Sequence, residues 1–244
     1  MAQLVCRYRK GDEVRWLSHL DVKRTLERAM RRADLPLVLT RGHNPHLKLS
    51  LGPPLPLGAT GDAELLAIHV AEAIDPEQVK DRLNDQLPRG LEVVEVWAVP
   101  GYRKKETFGN MEIAEYRAIV LSSVDAGEIR SRAEDLMARD ELIVHRSGGG
   151  SERTVDVRPL ILSIGVREAS AGEADLTMRL RTGSHGGAKP QEVVSLLGLA
   201  GEDQSVRYHR TGIYASAQSP AQSEAPAGRR WTDRRGGRKR NRLR

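Results

Sequence analysis

Residues 16–58 read WLSHLDVKRTLERAMRRADLPLVLTRGHNPHLKLSLGPPLPLG, and the rest of the chain is organised around them. The first half carries the start signal of a helix. Ser18 is placed to accept from the backbone N–H of Asp21, and Asp21 can reach back as a short capping-box partner. Val22, Leu26, Ala29, Met30 and Ala33 then recur at helical spacing, while Lys23, Arg24, Glu27, Arg28, Arg31 and Arg32 fill the remaining surface. Pro36 follows as a stop signal. The second half is an extended arm broken by Gly42, Pro45 and Pro53, with two imidazoles, His43 and His46, beside Asn44 and Lys48. A fold alone does not need so many polar groups in so short a segment.

Outward from this stretch, residues 3–9 alternate as a strand. Short extended pieces are expected at 36–40 and 47–51, a strand at 64–71, and a helix opening on Asp75 as N-cap with Pro76 at its first position. A strand at 91–99 completes the order β-α-β-β-α-β, the ferredoxin-like arrangement. The order recurs beyond residues 100–110, with strands expected at 114–121, 142–146, 153–157, 161–167, 174–181 and 205–214 and helices at 126–139 and 190–197. The expected class is α+β: two tandem ferredoxin-like (βαββαβ) units with a disordered basic C-terminal tail. The expected division is 1–100 for the first unit, 101–111 for a linker, 112–217 for the second unit and 218–244 for the tail. Composition is the reason for expecting disorder there: the end of the chain is rich in Ser, Ala, Gln, Pro and Arg and has little apolar surface to bury.

The residues SHLDVKRTLERAMRRADLP, RGHNPHLKLS and PLPLGATGDAELL resemble the opening signature of a bacterial family of unknown function, the radical SAM-linked or radical SAM-associated proteins (DUF2344-type domain). The likeness is specific over about residues 5–70 and looser to about 217. His43 stands where that pattern has Phe, and Leu47 where it has Pro. In that family the domain is fused behind a radical SAM protein or encoded beside one. The resemblance therefore implies a partner rather than a reaction.

Composition narrows the classes further. A chain of 244 residues can build a sizeable core, and with Phe108 as its one phenylalanine that core must be made from Leu, Val and Ile. No signal peptide and no run of about 18 apolar residues is visible, so no membrane association and a cytoplasmic location are expected. Cys6 is the single cysteine, which excludes a disulfide within the chain and fits a reducing compartment. An iron–sulfur cluster needs several thiolate ligands, so any radical chemistry belongs to another polypeptide. No cofactor is expected. The net charge of +6 is unevenly placed: residues 219–244 hold nine Arg or Lys against Glu224 and Asp233, which leaves the body near neutrality.

Each candidate site has a structural alternative. Ser18 and Asp21 can be explained by capping. His19 cannot, and the helix dipole disfavours its protonated form, so it is a candidate general base. His43, Asn44, His46 and Lys48 suit a binding loop for a nucleotide edge, with Asp21, Arg24 and Arg28 on the facing helix. His43 and His46 lack the Cys/His pattern usual for zinc, so no metal is expected. Glu64 begins a strand after a turn and is expected to pair with an arginine of the first helix. Thr154, Asp156 and Arg158 alternate along an extended segment, lining either a groove between the two units or an exposed sheet face. In the tail, Arg229, Arg230, Trp231, Arg234, Arg235, Arg238, Lys239 and Arg240 form the clearest RNA signal, phosphate charge combined with an aromatic.

The leading expectation is an accessory, RNA-binding protein for tRNA or ribosomal RNA that works with a radical SAM protein encoded nearby. One alternative is a metal-independent RNA endonuclease with His19 or His46 as general base, since tandem ferredoxin-like domains also build RNA endonucleases of the CRISPR-processing type. The other is a protein-interaction adaptor. The tail supplies a direct test. Each phosphate neutralised contributes roughly −0.7 to the log–log salt slope on single strands. Deleting residues 219–244 is expected to flatten that slope in RNA titrations and leave the melting curve of the body unchanged. An unchanged slope would remove the tail from the RNA-binding surface.

Overall fold

The structure is a computed structural model that describes residues 2–99, 108, 111–122, 124–148, 151–170, 172–183, 186–200 and 205–215. Ten strands and four helices lie among these residues. In chain order they are β1 (Ala2–Lys10), α1 (His19–Arg32), β2 (Leu49–Leu51), β3 (Thr60–Val70), α2 (Pro76–Asn84), β4 (Leu91–Ala98), β5 (Met111–Leu121), α3 (Ala126–Ala138), β6 (Ile143–Gly148), β7 (Ser151–Asp156), β8 (Ile161–Ser170), β9 (Glu173–Arg181), α4 (Pro190–Leu196) and β10 (Val206–Ala215). The basic tail at 218–244 falls outside the described residues, as do 101–107, 109 and 110 of the expected linker. No helix among the described residues is long and apolar enough to cross a membrane.

The expectation of two tandem ferredoxin-like units is overturned. Among the described residues, one mixed sheet of eight strands takes strands from both halves in the order β4-β1-β3-β10-β5-β9-β8, with β2 paired to β3 and a separate β6-β7 hairpin. The two halves are joined because β10 pairs in parallel with β3, His209 opposite Thr60 and Arg210 opposite Gly61. Strand alternation predicts each half locally but carries no sign of a pairing between strands so far apart in sequence.

The helices form where local signals place them. Ser18 accepts from Asp21 N–H at 3.2 Å and caps α1, and its hydroxyl donates to the Asp21 carboxylate at 2.6 Å. Asp75 caps α2 with Pro76 at the first position. All four helices cover one face of the sheet. Leu26 and Met30 of α1 and Val79 and Leu83 of α2 pack on Leu4, Cys6, Leu66 and Ile68. Ile129 and Leu136 of α3 and Val193 and Val194 of α4 pack on Ala118, Leu176 and Leu180. Each such side chain, removed from water, contributes roughly 1.5–3 kcal/mol before entropy is counted. The opposite face carries ion pairs, among them Arg7–Glu95, Arg117–Asp175 and Arg179–Glu115. A small apolar cluster of Val5, Ala67 and Phe108 sits beside them.

The cap of α1 is quantitatively testable. Ser18→Ala is expected to lower stability by about 1 kcal/mol in denaturant titration. A denaturation curve identical to the parent's would show that the cap contributes nothing.

Candidate functional site

A bulge sets the chemistry at the junction of the two halves. In the β1–β3 pair, Tyr8 is opposite Glu64 but Lys10 is opposite Gly61, so β3 carries one extra residue there. Bulges re-aim side chains. Asp62 faces outward to Arg9 and His209, whereas Glu64 turns inward. Glu64 is 4% exposed and its partner Arg210 is 1% exposed. The Arg210 Nε donates to Glu64 Oε1 at 2.8 Å and its Nη2 donates to Glu64 Oε2. Nη2 also donates to the carbonyl of Pro53 at 2.9 Å, and Nη1 to that of Pro54 at 3.3 Å. Burial alone would lower the Arg210 pKa, but Glu64 and Tyr116 beside it hold it above its ordinary value. The Tyr8 and Tyr116 phenols, lying against this pair, are pushed up chiefly by burial. Gly61 has to be small, because a Cβ there would lie 2.6 Å from the Glu64 carboxylate that Arg210 holds in place.

Sequence reading expected Glu64 to pair with an arginine of α1; the partner is Arg210, 146 residues away. The available signal was an acid inside the apolar run ELLAIHVA, which demands a buried cation without saying which one.

His19 lies beside this junction. With Tyr8, Lys10, Leu17, Val22, Leu55 and Glu64 it lines a cavity of about 10 Å³, about the space of one water. Burial lowers the His19 pKa; Glu64 opposes this, and Arg210 and Lys23 add to it. Lys10 is 3% exposed and donates to the carbonyls of Arg15 at 2.8 Å and Leu17 at 3.0 Å. It thereby fixes the approach to the Ser18 cap. The site therefore brings together His19 and Glu64 from the sequence candidates, and adds Tyr8, Lys10, Tyr116 and Arg210.

The other candidates are elsewhere. The arm pairs at the opposite end of β3, with Leu37 bridging to Val70, Val38 N–H donating to His69 O, and Leu39 bridging to Leu47. Fourteen helical residues separate the two ends of α1, about 21 Å at 1.5 Å per residue. His43, Asn44, His46 and Lys48 are exposed, and His46 N–H donates to Thr40 Oγ1 at 3.0 Å. Asp21, whose carboxyl is held low chiefly by the Ser18 hydroxyl, pairs loosely with Arg24 at 3.6 Å. Arg28 donates to Thr25. Among the described residues, no group of three or more His, Cys, Asp or Glu is placed to hold a metal ion.

A larger space opens where the halves diverge. The edge of β3 away from β1 is shared: β10 takes Thr60 and Gly61, and β2 takes Leu66, Ala67 and Ile68. Between them lies a cleft of about 1010 Å³. It is lined by Leu51, by the turn after β2 with Pro53, Pro54 and Leu57, by Phe108, and by Tyr116, Thr182, Ala188, Lys189 and Gln191. Arg146 also lines it, but its guanidinium is committed to Glu192 at 2.7 Å and Gly187 O at 2.6 Å. That grip ties the β6-β7 hairpin to α4. Thr154, Asp156 and Arg158 do not line the cleft. Asp156 accepts from Leu142 and Arg158 N–H, and Arg158 donates to Met137 O at the end of α3. Sequence reading missed the cleft because its walls come from segments far apart in the chain and mostly apolar.

Residues 3–190 match the family described as "Uncharacterized protein conserved in bacteria (DUF2344)", and the chain belongs to that family. No curated protein matches it. Among solved structures it is similar to a Cbf5-Nop10-Gar1 complex, at 14% identity over 86% of this chain and 48% of that chain, TM-score 0.48. It is also similar to an H/ACA RNP bound to a substrate RNA containing 2'-deoxyuridine, at 13% identity over 86% and 47%, TM-score 0.46. A third is an archaeal box H/ACA sRNP Nop10-Cbf5 complex, at 12% identity over 85% and 46%, TM-score 0.44. The chain thus spans about half the length of the solved chains it matches there.

Two outcomes test the junction. Glu64→Gln leaves the Arg210 charge buried without its counter-ion and is expected to cost about 3–5 kcal/mol in denaturant titration; a loss under about 1 kcal/mol would contradict the role given to the pair. The second is pH. The His19 pKa lies below its ordinary 6.5 in the folded chain, so the unfolded chain binds the proton first as pH falls. Stability is expected to decline below about pH 6.5. His69, lowered by burial and by Lys48, acts in the same sense, so His19→Gln flattens the decline without abolishing it. A pH profile unchanged in His19→Gln would place His19 outside the coupled network.

Proposed function

We propose that the protein is an RNA-binding accessory subunit, for tRNA or ribosomal RNA, that presents its substrate to a separately encoded radical SAM protein. The observation that carries the RNA reading is the outer face of α1. Leu20, Arg24, Arg28 and Arg31 fall within a sector of about 80° at 3.6 residues per turn, and all four are exposed. The stripe begins at Trp16, which is 67% exposed and has the Arg15 guanidinium 5.1 Å from its ring centroid. The arm adds further exposed cationic and imidazole groups, Arg41, His43, His46 and Lys48. A line of cations with an aromatic ring at one end is how proteins track a single strand: charge holds phosphates and the ring stacks a base. The exposed Arg24–Asp21 pair is worth little, so Arg24 can turn to a phosphate at small cost. The cations of residues 229–240 add to the positive charge of the chain.

The partner reading rests on the likeness to the radical SAM-linked family and on Cys6. That thiol is fully buried, and burial pushes its pKa up to about 12. It stays protonated and enclosed, unsuited to ligate a cluster.

The test is fluorescence anisotropy of a labelled single-stranded RNA across a salt series. The triple variant Arg24→Gln, Arg28→Gln, Arg31→Gln is expected to bind at least tenfold more weakly, about 1.4 kcal/mol. Its log–log salt slope should be shallower by about 2, three phosphate contacts at roughly 0.7 each, with an unchanged melting curve. Parental affinity and slope in the triple variant would overturn the reading.

A further inference from the structure

We propose that Thr60, His209 and Asp62 form an acid-strengthened clasp, which closes the junction of the two halves on the outer face of the sheet and tightens when the His209 imidazole takes up a proton. The inference goes beyond the RNA reading and does not rest on it.

Strands β3 and β10 meet at two paired positions, His209 opposite Thr60 and Arg210 opposite Gly61. Arg210 goes inward to Glu64. His209 goes outward, since adjacent side chains on a strand take opposite faces. There both of its ring nitrogens are held by β3. Nδ1 lies 2.8 Å from Thr60 Oγ1, and Nε2 lies 3.1 Å from Asp62 Oδ2. The bulge that turns Glu64 inward is what leaves Asp62 on the outside.

The proton positions follow from the partners. The Asp62 carboxyl is held below its ordinary value, chiefly by the hydrogen bond from His209, and is ionised at neutral pH. A carboxylate only accepts, so Nε2 carries the hydrogen. In the neutral ring Nδ1 is then an acceptor, and Thr60 donates its hydroxyl proton to it. In the protonated ring Nδ1–H is a donor as well. Thr60 Oγ1 then accepts from it and turns its own proton to the carbonyl of Tyr208, 3.3 Å away. Both protonation states are therefore hydrogen-bonded at both nitrogens. They differ in charge: the neutral N–H held by Asp62 becomes an imidazolium–carboxylate pair, a charge-assisted bond roughly twice as strong.

The neighbouring cations have carboxylates of their own. Arg117 of β5 is opposite His209, and its Nε donates to Asp175 at 2.8 Å. Arg9 of β1 lies 3.4 Å from Asp62 and 3.4 Å from Glu92 of β4. Arg207, on the same face of β10, is opposite Ile119 of β5. On the inner side Arg210 is matched by Glu64. The sign of the clasp is opposite to that of His19, whose imidazolium is disfavoured chiefly by burial. As pH falls, His19 weakens the inner side of the junction while the outer clasp holds β10, and Arg210 with it, more firmly. Protonation of Asp62, below the ordinary 3.8 of an aspartate, sets the lower limit of that window.

The experiment is a double-mutant cycle on the full chain, with His209→Gln, Asp62→Asn and the two combined, in denaturant titrations at about pH 8 and about pH 5.5. His19 and His69 titrate alike in all four proteins, so they cancel. The pair is partly exposed. The coupling, as a factor on the folding equilibrium constant, is therefore expected to be larger at the lower pH by about twofold to fivefold, and to shrink in about 1 M salt. Nitrogen-15 spectra of the parent's His209 ring supply a reading that no variant's folding affects: the expected form at the higher pH is Nε2–H with a bare Nδ1. A coupling equal or smaller at the lower pH, or an Nδ1–H ring at the higher pH, overturns the inference.

Discussion

The Glu64–Arg210 ion pair is the constraint from which the arrangement of the two halves follows. Strands β3 and β10 share two paired positions, too few to set an orientation by themselves. Arg210 supplies the rest. Its guanidinium takes both oxygens of Glu64 on β3 and the carbonyls of Pro53 and Pro54 in the turn that walls the cleft. One side chain from the last strand thus fixes the register of the junction and the position of the turn. A buried ion pair is poor evidence of net stability, since desolvation offsets much of the attraction, yet losing one partner is costly. Here the pair acts chiefly as a geometric device: it makes the parallel junction specific.

What the junction holds apart matters as much as what it joins. Past Gly61 the β3 edge passes to β2, so β10 leaves and the cleft opens. On the far side of the same turn, Gly58 N–H donates to Arg15 O at 3.1 Å, which brings the turn against Trp16 and the start of α1. The turn that walls the cleft is therefore joined directly to the start of the helix that carries the basic face. Lys10, with its charge inside the fold, anchors the other side of that connection by holding the carbonyls of Arg15 and Leu17.

Much of this was legible locally and little of it globally. The caps Ser18 and Asp75, the stop after α1 and the strand positions follow from the chemistry of neighbouring residues, and the structure has them. The polar surplus of residues 16–58 also marked out the stretch on which the junction, the stripe and the cleft wall converge. What could not be read is what depends on distant pairing. Arg210 sits in RYHRTGIYA, one cation among several, and only a strand register separates it from its neighbours. The expectation of two tandem ferredoxin-like units failed for that reason. His19 and the histidines of the arm are close in sequence, yet the length of α1 sets them apart. Gln191 and Tyr116 carry no motif at all.

The most direct test of the RNA path is photo-crosslinking of 4-thiouridine-labelled RNA to the full-length protein, followed by peptide mapping. The expected result is adducts on peptides containing Trp16 and the α1 arginines. Adducts confined to residues 229–240, with the folded body unlabelled, would contradict an RNA surface on α1.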